Sequence, residues 1–215
     1  MKIDNISILI LAGGSLDGKS LGPTKPLWSH PLLLPSGSDL AIDYICNFYS
    51  SFVPEQNIHI VIDQSIPPEV PINLNSNIQI NRVTEQSSVI GSIKAAIKLI
   101  KSKWVLINPI TTLPSESVNL SSQVLIGNTM LIKENWSGIR LNSNNKWEFD
   151  SKEDYCNNLP SYPFTGIVCS KTDVVSRLLS NIPEEQCSDL LSLAKELVDK
   201  ENANIVKTAW LDLGH

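Results

Sequence analysis

Cysteine, histidine and formal charge are all sparse in this chain. Its four cysteines, at positions 46, 156, 169 and 187 of 215 residues, form no C-x-x-C pair. That spacing speaks against a zinc knuckle or a thioredoxin-type dithiol. It fits reduced thiols in a cytoplasmic protein. Charged residues make up only 18% and the net charge is −5, with no block of Lys and Arg. A duplex nucleic-acid interface is therefore not expected, although a local pocket for phosphates is compatible with this balance. His30, His59 and His215 are scattered and offer no metal spacing, and no Ser–His–Asp arrangement can be argued. The five tryptophans are too dispersed for a base-stacking platform.

No long hydrophobic run is present either. Ile6 to Ala12 is too short to span a membrane. As a secretory signal it fails twice: Asp4 stands where basic residues belong, and the run ends in Gly13-Gly14. Repeats and low-complexity tracts are missing. G-x-G-x-x-G does not occur, which disfavours a dinucleotide fingerprint, whereas Gly13 to Ser20 fits the letters of G-x-x-x-x-G-K-[ST]. A D-x-D metal motif of nucleotide-sugar-dependent transferases is absent too.

With 42% hydrophobic residues the chain can bury a sizeable core, and its length suits one domain over 1–215. Ile6 to Leu11 reads as a fully buried strand. A Gly- and Pro-rich stretch from Ala12 to Ser38 follows, a loop of the length that usually carries function. Ser38 and Asp39 are cap candidates for a helix to about Ser50. Strands are expected over Asn57 to Ile62, Ile78 to Val83 and Trp104 to Asn108. Ser87 or Ser88 caps a helix through Lys101, whose Ile90, Ile93, Ile97 and Ile100 make one apolar face. This alternation predicts an α/β fold with a mostly parallel sheet. The second half reads as strands at Val124 to Lys133, Gly138 to Leu141, Trp147 to Phe149 and Phe164 to Cys169. Asn142 to Asn145 is a hairpin turn. Two helices, Lys171 to Ser180 and Glu184 to Lys200, precede a last strand, Asn204 to Trp210. The later strands are expected to extend the first sheet.

The most informative stretch is Leu11-Ala12-Gly13-Gly14, at the end of a buried strand, followed by Lys25-Pro26-Leu27. Two glycines let the backbone turn sharply and present N–H groups to phosphate oxygens, and Lys25 adds positive charge. This pattern resembles the sugar-phosphate nucleotidyltransferase family, whose hallmark is L-A-G-G-x-G-x-R-L and then P-K-P-L. Ser88 to Ile93 sits where the family has G-T-A-G-A-L. Leu106 to Pro114 sits where it has a strand ending in N-G-D. Phe164-Thr165-Gly166-Ile167 resembles its N-x-G-I/V sugar-binding strand. Trp210-Leu211-Asp212-Leu213-Gly214-His215 resembles W-x-D-x-G-T/H. The pieces fall in the family's order across nearly the whole chain.

The resemblance implies a Rossmann-like three-layer sandwich with a mixed, mostly parallel sheet. It implies Mg²⁺-dependent transfer of a nucleotidyl group from a nucleoside triphosphate to a sugar 1-phosphate, as in making activated sugars for polysaccharide. Catalytic roles fall to Lys25 and Asp212, with Asp212 as the metal ligand. Leu11, Ala12, Gly13, Gly14, Lys19 and Ser88 would bind nucleotide. Asn108, Thr111, Lys152, Thr165 and Gly166 would bind substrate. The departures are equally specific. No arginine stands in the loop, where Lys19 is the available cation and Asp17 opposes it. Ile110 occupies the place of the first metal carboxylate, and Ser88 replaces a glycine. A catalytically degenerate nucleotide- or sugar-binding protein of the same fold is therefore the alternative reading. The family usually continues beyond the place where this sequence stops, at His215, so a short member and a fragment are both compatible. The base, the sugar and the oligomeric state are not legible in the sequence.

Overall fold

The computed structural model describes residues 2–12, 35–36, 39–64, 76–83, 88–115, 120–128, 137–151, 161–182 and 190–213. Strand β1, Ile6–Leu11, is an interior strand of a nine-stranded sheet. It pairs in parallel with β4, Ile58–Asp63, on one side and with β6, Trp104–Pro109, on the other. Strand β5, Gln79–Val83, pairs in parallel with β4. Beyond β6 the sheet turns antiparallel: β11, Tyr162–Lys171, pairs with β6 and with β9, Gly138–Leu141, which pairs with β10, Trp147–Asp150. Strand β8, Gln123–Gly127, joins β11 and carries β12, Asn204–Thr208, in parallel. The mixed sheet follows the expectation, and the later strands do extend the first.

Alternation along the buried strands divides the core in two. Ile6, Ile8 and Ile10 of β1, with Ile58, Ile60, Ile62 and Leu106, pack under α1, Ala41–Ser50, through Ala41, Ile42, Ile45, Cys46 and Tyr49. Leu9, Val61, Val105 and Ile107 point the other way. They meet α2, Val89–Ile97, α3, Thr172–Asn181, and α4, Leu191–Glu201. Helices on both faces make three layers. None of the described helices is long and apolar enough to cross a membrane.

Several boundaries differ from expectation for local reasons. Helix α1 starts at Ala41 with Leu40 in the cap position and no side-chain cap bond, because Asp39 is engaged in a short ladder of β2, Pro35–Ser36, with β3, Asp39–Leu40. Helix α2 ends at Ile97, not Lys101. The N–H groups of Leu99 and Ile100 bond three residues back, to Ala96 and Ile97, and this tighter turn still buries Ile100. The last expected strand breaks at Ala209. Its end forms β13, Trp210–Asp212, which leaves the main sheet to pair with an unanticipated strand, β7, Thr112–Pro114. The hairpin turn falls where expected: Asn142 Oδ1 accepts from the N–H groups of Asn144 and Lys146, and Asn145 takes φ 56°.

Candidate functional site

The crossovers place the site. From β1 the chain moves through α1 on one face to β4. From β5 it returns through α2 on the other face to β6, on the opposite side of β1. The connections diverge between β1 and β6, so a crevice opens outside the carboxyl ends of these strands, the usual ligand position in such sheets.

Leu11 and Ala12 lie at this edge. The Ala12 N–H donates to the Val61 carbonyl at 2.8 Å, and the Leu11 carbonyl accepts from Ile110 N–H at 3.0 Å. Ser88 caps α2 after the carboxyl end of β5, its hydroxyl accepting from Gly91 N–H at 3.0 Å. Gly13, Gly14, Lys19, Lys25 and Lys152 lie outside the described residues.

At the end of β6 the polar side chains turn inward. Asn108 is fully buried: its Oδ1 accepts from Tyr49 Oη at 2.7 Å, while its amide donates to the Thr112 carbonyl at 2.9 Å and to the Pro109 carbonyl. Thr112 donates its hydroxyl to the Thr165 carbonyl at 2.8 Å. The Thr165 hydroxyl donates to the Leu125 carbonyl at 2.8 Å and accepts from Ile167 N–H at 3.1 Å. Asn108 and Thr165 thus serve the floor of the crevice, with their side chains buried in internal bonds. Burial, and secondarily the neighbouring Cys169, pushes the Tyr49 phenol upward in pKa, so it remains a donor.

Thr111 is half-buried, and its carbonyl accepts from Leu213 N–H at 2.8 Å. Opposite β7, the backbone of Asp212 pairs with Thr112. The fold therefore brings Thr111 and Asp212, distant in sequence, to the end of β6 beside β1. Gly166 has φ 78° within a bulge of β11, and a Cβ there would meet the Pro109 ring carbon Cγ at 2.6 Å. Only glycine suits both the backbone and the space.

Mg²⁺ is a hard cation that prefers carboxylates. Ile110 is buried in the apolar cluster beneath α1, and the oxygens of Asn108, Thr112 and Thr165 are engaged internally. Among the described residues no three His, Cys, Asp or Glu converge. Among the described residues, no such donor set for a resident Mg²⁺ is therefore assembled.

Sequence reasoning missed Tyr49. It occupies an ordinary core position of α1, and only its hydroxyl, in a helix otherwise buried through apolar side chains, hinted at a polar partner.

No family model and no curated protein matches the sequence. Solved structures do match in fold. A Bacillus anthracis protein named as a glucose-1-phosphate thymidylyltransferase superposes with TM-score 0.72 at 15% identity, covering 97% of this chain and 90% of that one. The inositol-1-phosphate CTP transferase of T. maritima gives 0.66 at 12% identity, covering 97% and 88%. A UDP-glucose pyrophosphorylase complexed with UDP-glucose gives 0.64 at 12% identity, covering 100% and 94%. The chain has the fold of these sugar-phosphate nucleotidyltransferases, as a sequence-divergent example of it.

Proposed function

We propose that this chain is a nucleotidyltransferase that joins a nucleoside triphosphate to a sugar 1-phosphate, releasing pyrophosphate. One observation carries the reading: β13 lies against β7, so Asp212 stands at the end of β6, beside the strand that leads into the glycine loop. In the reaction a phosphate oxygen of the sugar 1-phosphate attacks the α-phosphorus. The new P–O bond forms as the α–β bridging bond breaks, and the electron pair leaves with pyrophosphate. Catalysis by the protein is alignment and charge neutralisation. Backbone N–H groups of Gly13 and Gly14, with Lys19, receive the triphosphate. Lys25 neutralises the α-phosphate and the incoming sugar phosphate. Thr111 and Gly166 border the sugar, Lys152 meets its phosphate, and Ser88 opens the helix beside the base. Mg²⁺ enters as part of the nucleotide substrate, with Asp212 as the carboxylate that meets it.

Residues 1–215 act in this reading as one domain, in the cytoplasm, where Cys46 and Cys169 stay unpaired and buried. The product is an activated sugar of the kind used in polysaccharide synthesis. The test is pyrophosphate release with each nucleoside triphosphate crossed with a panel of sugar 1-phosphates. We expect turnover with a specific pair, and its loss in Lys25→Ala and in Asp212→Ala with unchanged thermal midpoints. Undiminished rates in both variants would sink the assignment.

A second reading rests on the inward-turned donors and Ile110: a binding protein of the same fold without turnover. It predicts nucleotide or nucleotide-sugar binding that is indifferent to Mg²⁺ and no product with any pair.

A further inference from the structure

A chain of buried hydrogen bonds crosses the molecule beneath the crevice. It starts on α1 at Tyr49, passes through Asn108 at the end of β6, continues from the Asn108 amide to the Thr112 carbonyl, and runs from the Thr112 hydroxyl to the Thr165 carbonyl on β11. Every side chain in it is buried: Tyr49 and Asn108 are 0% exposed, Thr165 2% and Thr112 3%. Three structural elements from both sides of β6 are thereby tied to one short strand, β7. That strand is the one on which Asp212 is paired, through Thr112, and the Thr111 carbonyl extends the same ladder to Leu213.

We propose that Tyr49, Asn108 and Thr112 are positioning residues: they hold β7, and through it β13, at the distance from β1 that places Asp212 against the nucleotide. The inference rests on the nucleotidyltransferase reading and deepens it, naming what fixes the carboxylate's strand. The main sheet cannot do this, because β7 and β13 form a separate two-stranded ladder. Its backbone pairing sets Asp212 relative to Thr112; beyond the covalent link from β6 through Ile110 and Thr111, side chains bridge the gaps from the ladder to β6 and β11. Asn108 and Thr112 each span such a gap. Their geometry is demanding: the Asn108 amide is oriented by the phenol as well as by its own two donated bonds, so removing the Tyr49 hydroxyl takes away the donor that fixes its Oδ1 end. In-line displacement is sensitive to small shifts, and a displacement of about 1 Å costs up to about a hundredfold in rate. Nucleotide affinity should respond less, since Ala12 is held to β4 through Val61 and Ser88 to Gly91, by bonds outside this chain of hydrogen bonds.

The experiment uses the full chain with its active substrate pair. Steady-state kcat and both KM values are measured for wild type, Thr112→Val, Thr112→Ser and Tyr49→Phe, alongside each thermal midpoint. Valine keeps the shape of threonine and loses the hydroxyl, whereas serine keeps the hydroxyl. We expect Thr112→Val to lower kcat by roughly tenfold or more, with the nucleotide KM within about twofold. Thr112→Ser should recover most of that kcat, and Tyr49→Phe should lower kcat in the same direction. A Thr112→Val enzyme that melts earlier but turns over at the wild-type rate would overturn the positioning role. So would a serine variant as slow as the valine one despite its hydroxyl. Should Thr112→Val fail to fold, Tyr49→Phe decides by the same kcat-to-KM split. A wild type that binds nucleotide and never releases pyrophosphate refutes the transferase reading itself, and this inference with it.

Discussion

Gly166→Ala probes the tightest contact in the crevice floor. Two separate costs are expected. The backbone at Gly166 has φ 78°, and an L-residue in a left-handed conformation costs about 1–2 kcal/mol. The added methyl would also lie 2.6 Å from Pro109 Cγ and 3.2 Å from Cδ. A proline ring cannot swing aside as a flexible side chain does. Pro109 is also held in register opposite Leu11 and followed by the bond from Ile110 N–H to the Leu11 carbonyl. Overpacking of this kind costs about 1–3 kcal/mol, so the substitution should destabilise by about 2–5 kcal/mol in all. The costs separate in a double-mutant cycle with Pro109→Ala, which removes Cγ and Cδ and leaves Cβ at an ordinary 3.8 Å. In that background Gly166→Ala should retain only the backbone cost, giving a coupling of about 1–3 kcal/mol. Urea unfolding followed by far-UV circular dichroism measures all four corners. A neutral Gly166→Ala would refute the strain argument. An equal cost in both backgrounds would refute the steric part and leave the backbone part standing.

Three further predictions concern groups with defined surroundings. Burial raises the Cys46 thiol to about 12, with Asp43 adding to it, and burial likewise raises Cys169 to about 12. In a Cys156→Ser/Cys187→Ser background, neither thiol should react with a disulfide reagent at pH 8 until the protein is unfolded; native-state labelling would contradict their burial. The sign for stability follows from proton counts: below the ordinary value of 9.0 both states keep these protons. Above it the unfolded chain releases them first, so stability falls as pH rises towards about 12, measurable as a declining urea midpoint on the alkaline side. Ser88→Ala removes the bond to Gly91 N–H and should cost about 1 kcal/mol, whereas Ser88→Gly should cost a few tenths. Equal losses in these two variants would mean that the cap bond is not what Ser88 contributes.

Elements with a strong local pattern were legible in the sequence. Ile6 to Leu11 is a continuous buried run and forms β1 with those bounds. The isoleucines of α2 recur at helical spacing behind a serine that caps them. The asparagine-rich turn needed only Asn142 to bond its own neighbours. What escaped was set by distant partners. Strands β7 and β13 are each three residues long, too short to show a period, and they exist only because each finds the other. Asn108 reads as a polar residue at a strand end, where ligand contacts are common. Its burial depends on a tyrosine arriving from α1, which no local pattern reveals. The hydroxyl of Thr165, expected to border a sugar, donates to the Leu125 carbonyl of β8, a partner distant in sequence.

Those inward turns bear on how such a site can bind at all. A crevice whose floor polar groups pair with one another has little left to offer a ligand from the floor. The half-buried row that remains there, Leu11, Pro109 and Gly166 on three adjacent strands, is apolar. An apolar floor suits the face of a base or sugar and does nothing for phosphate. In the proposed reading, charge is met by Lys19, Lys25 and Asp212 rather than by the floor. This division explains how Ile110 is compatible with the proposed activity. At that position a carboxylate would be buried against α1 without a partner, at a cost of several kcal/mol. Ile110 instead anchors the corner from which β7 departs, and the proposed chemistry falls to other residues.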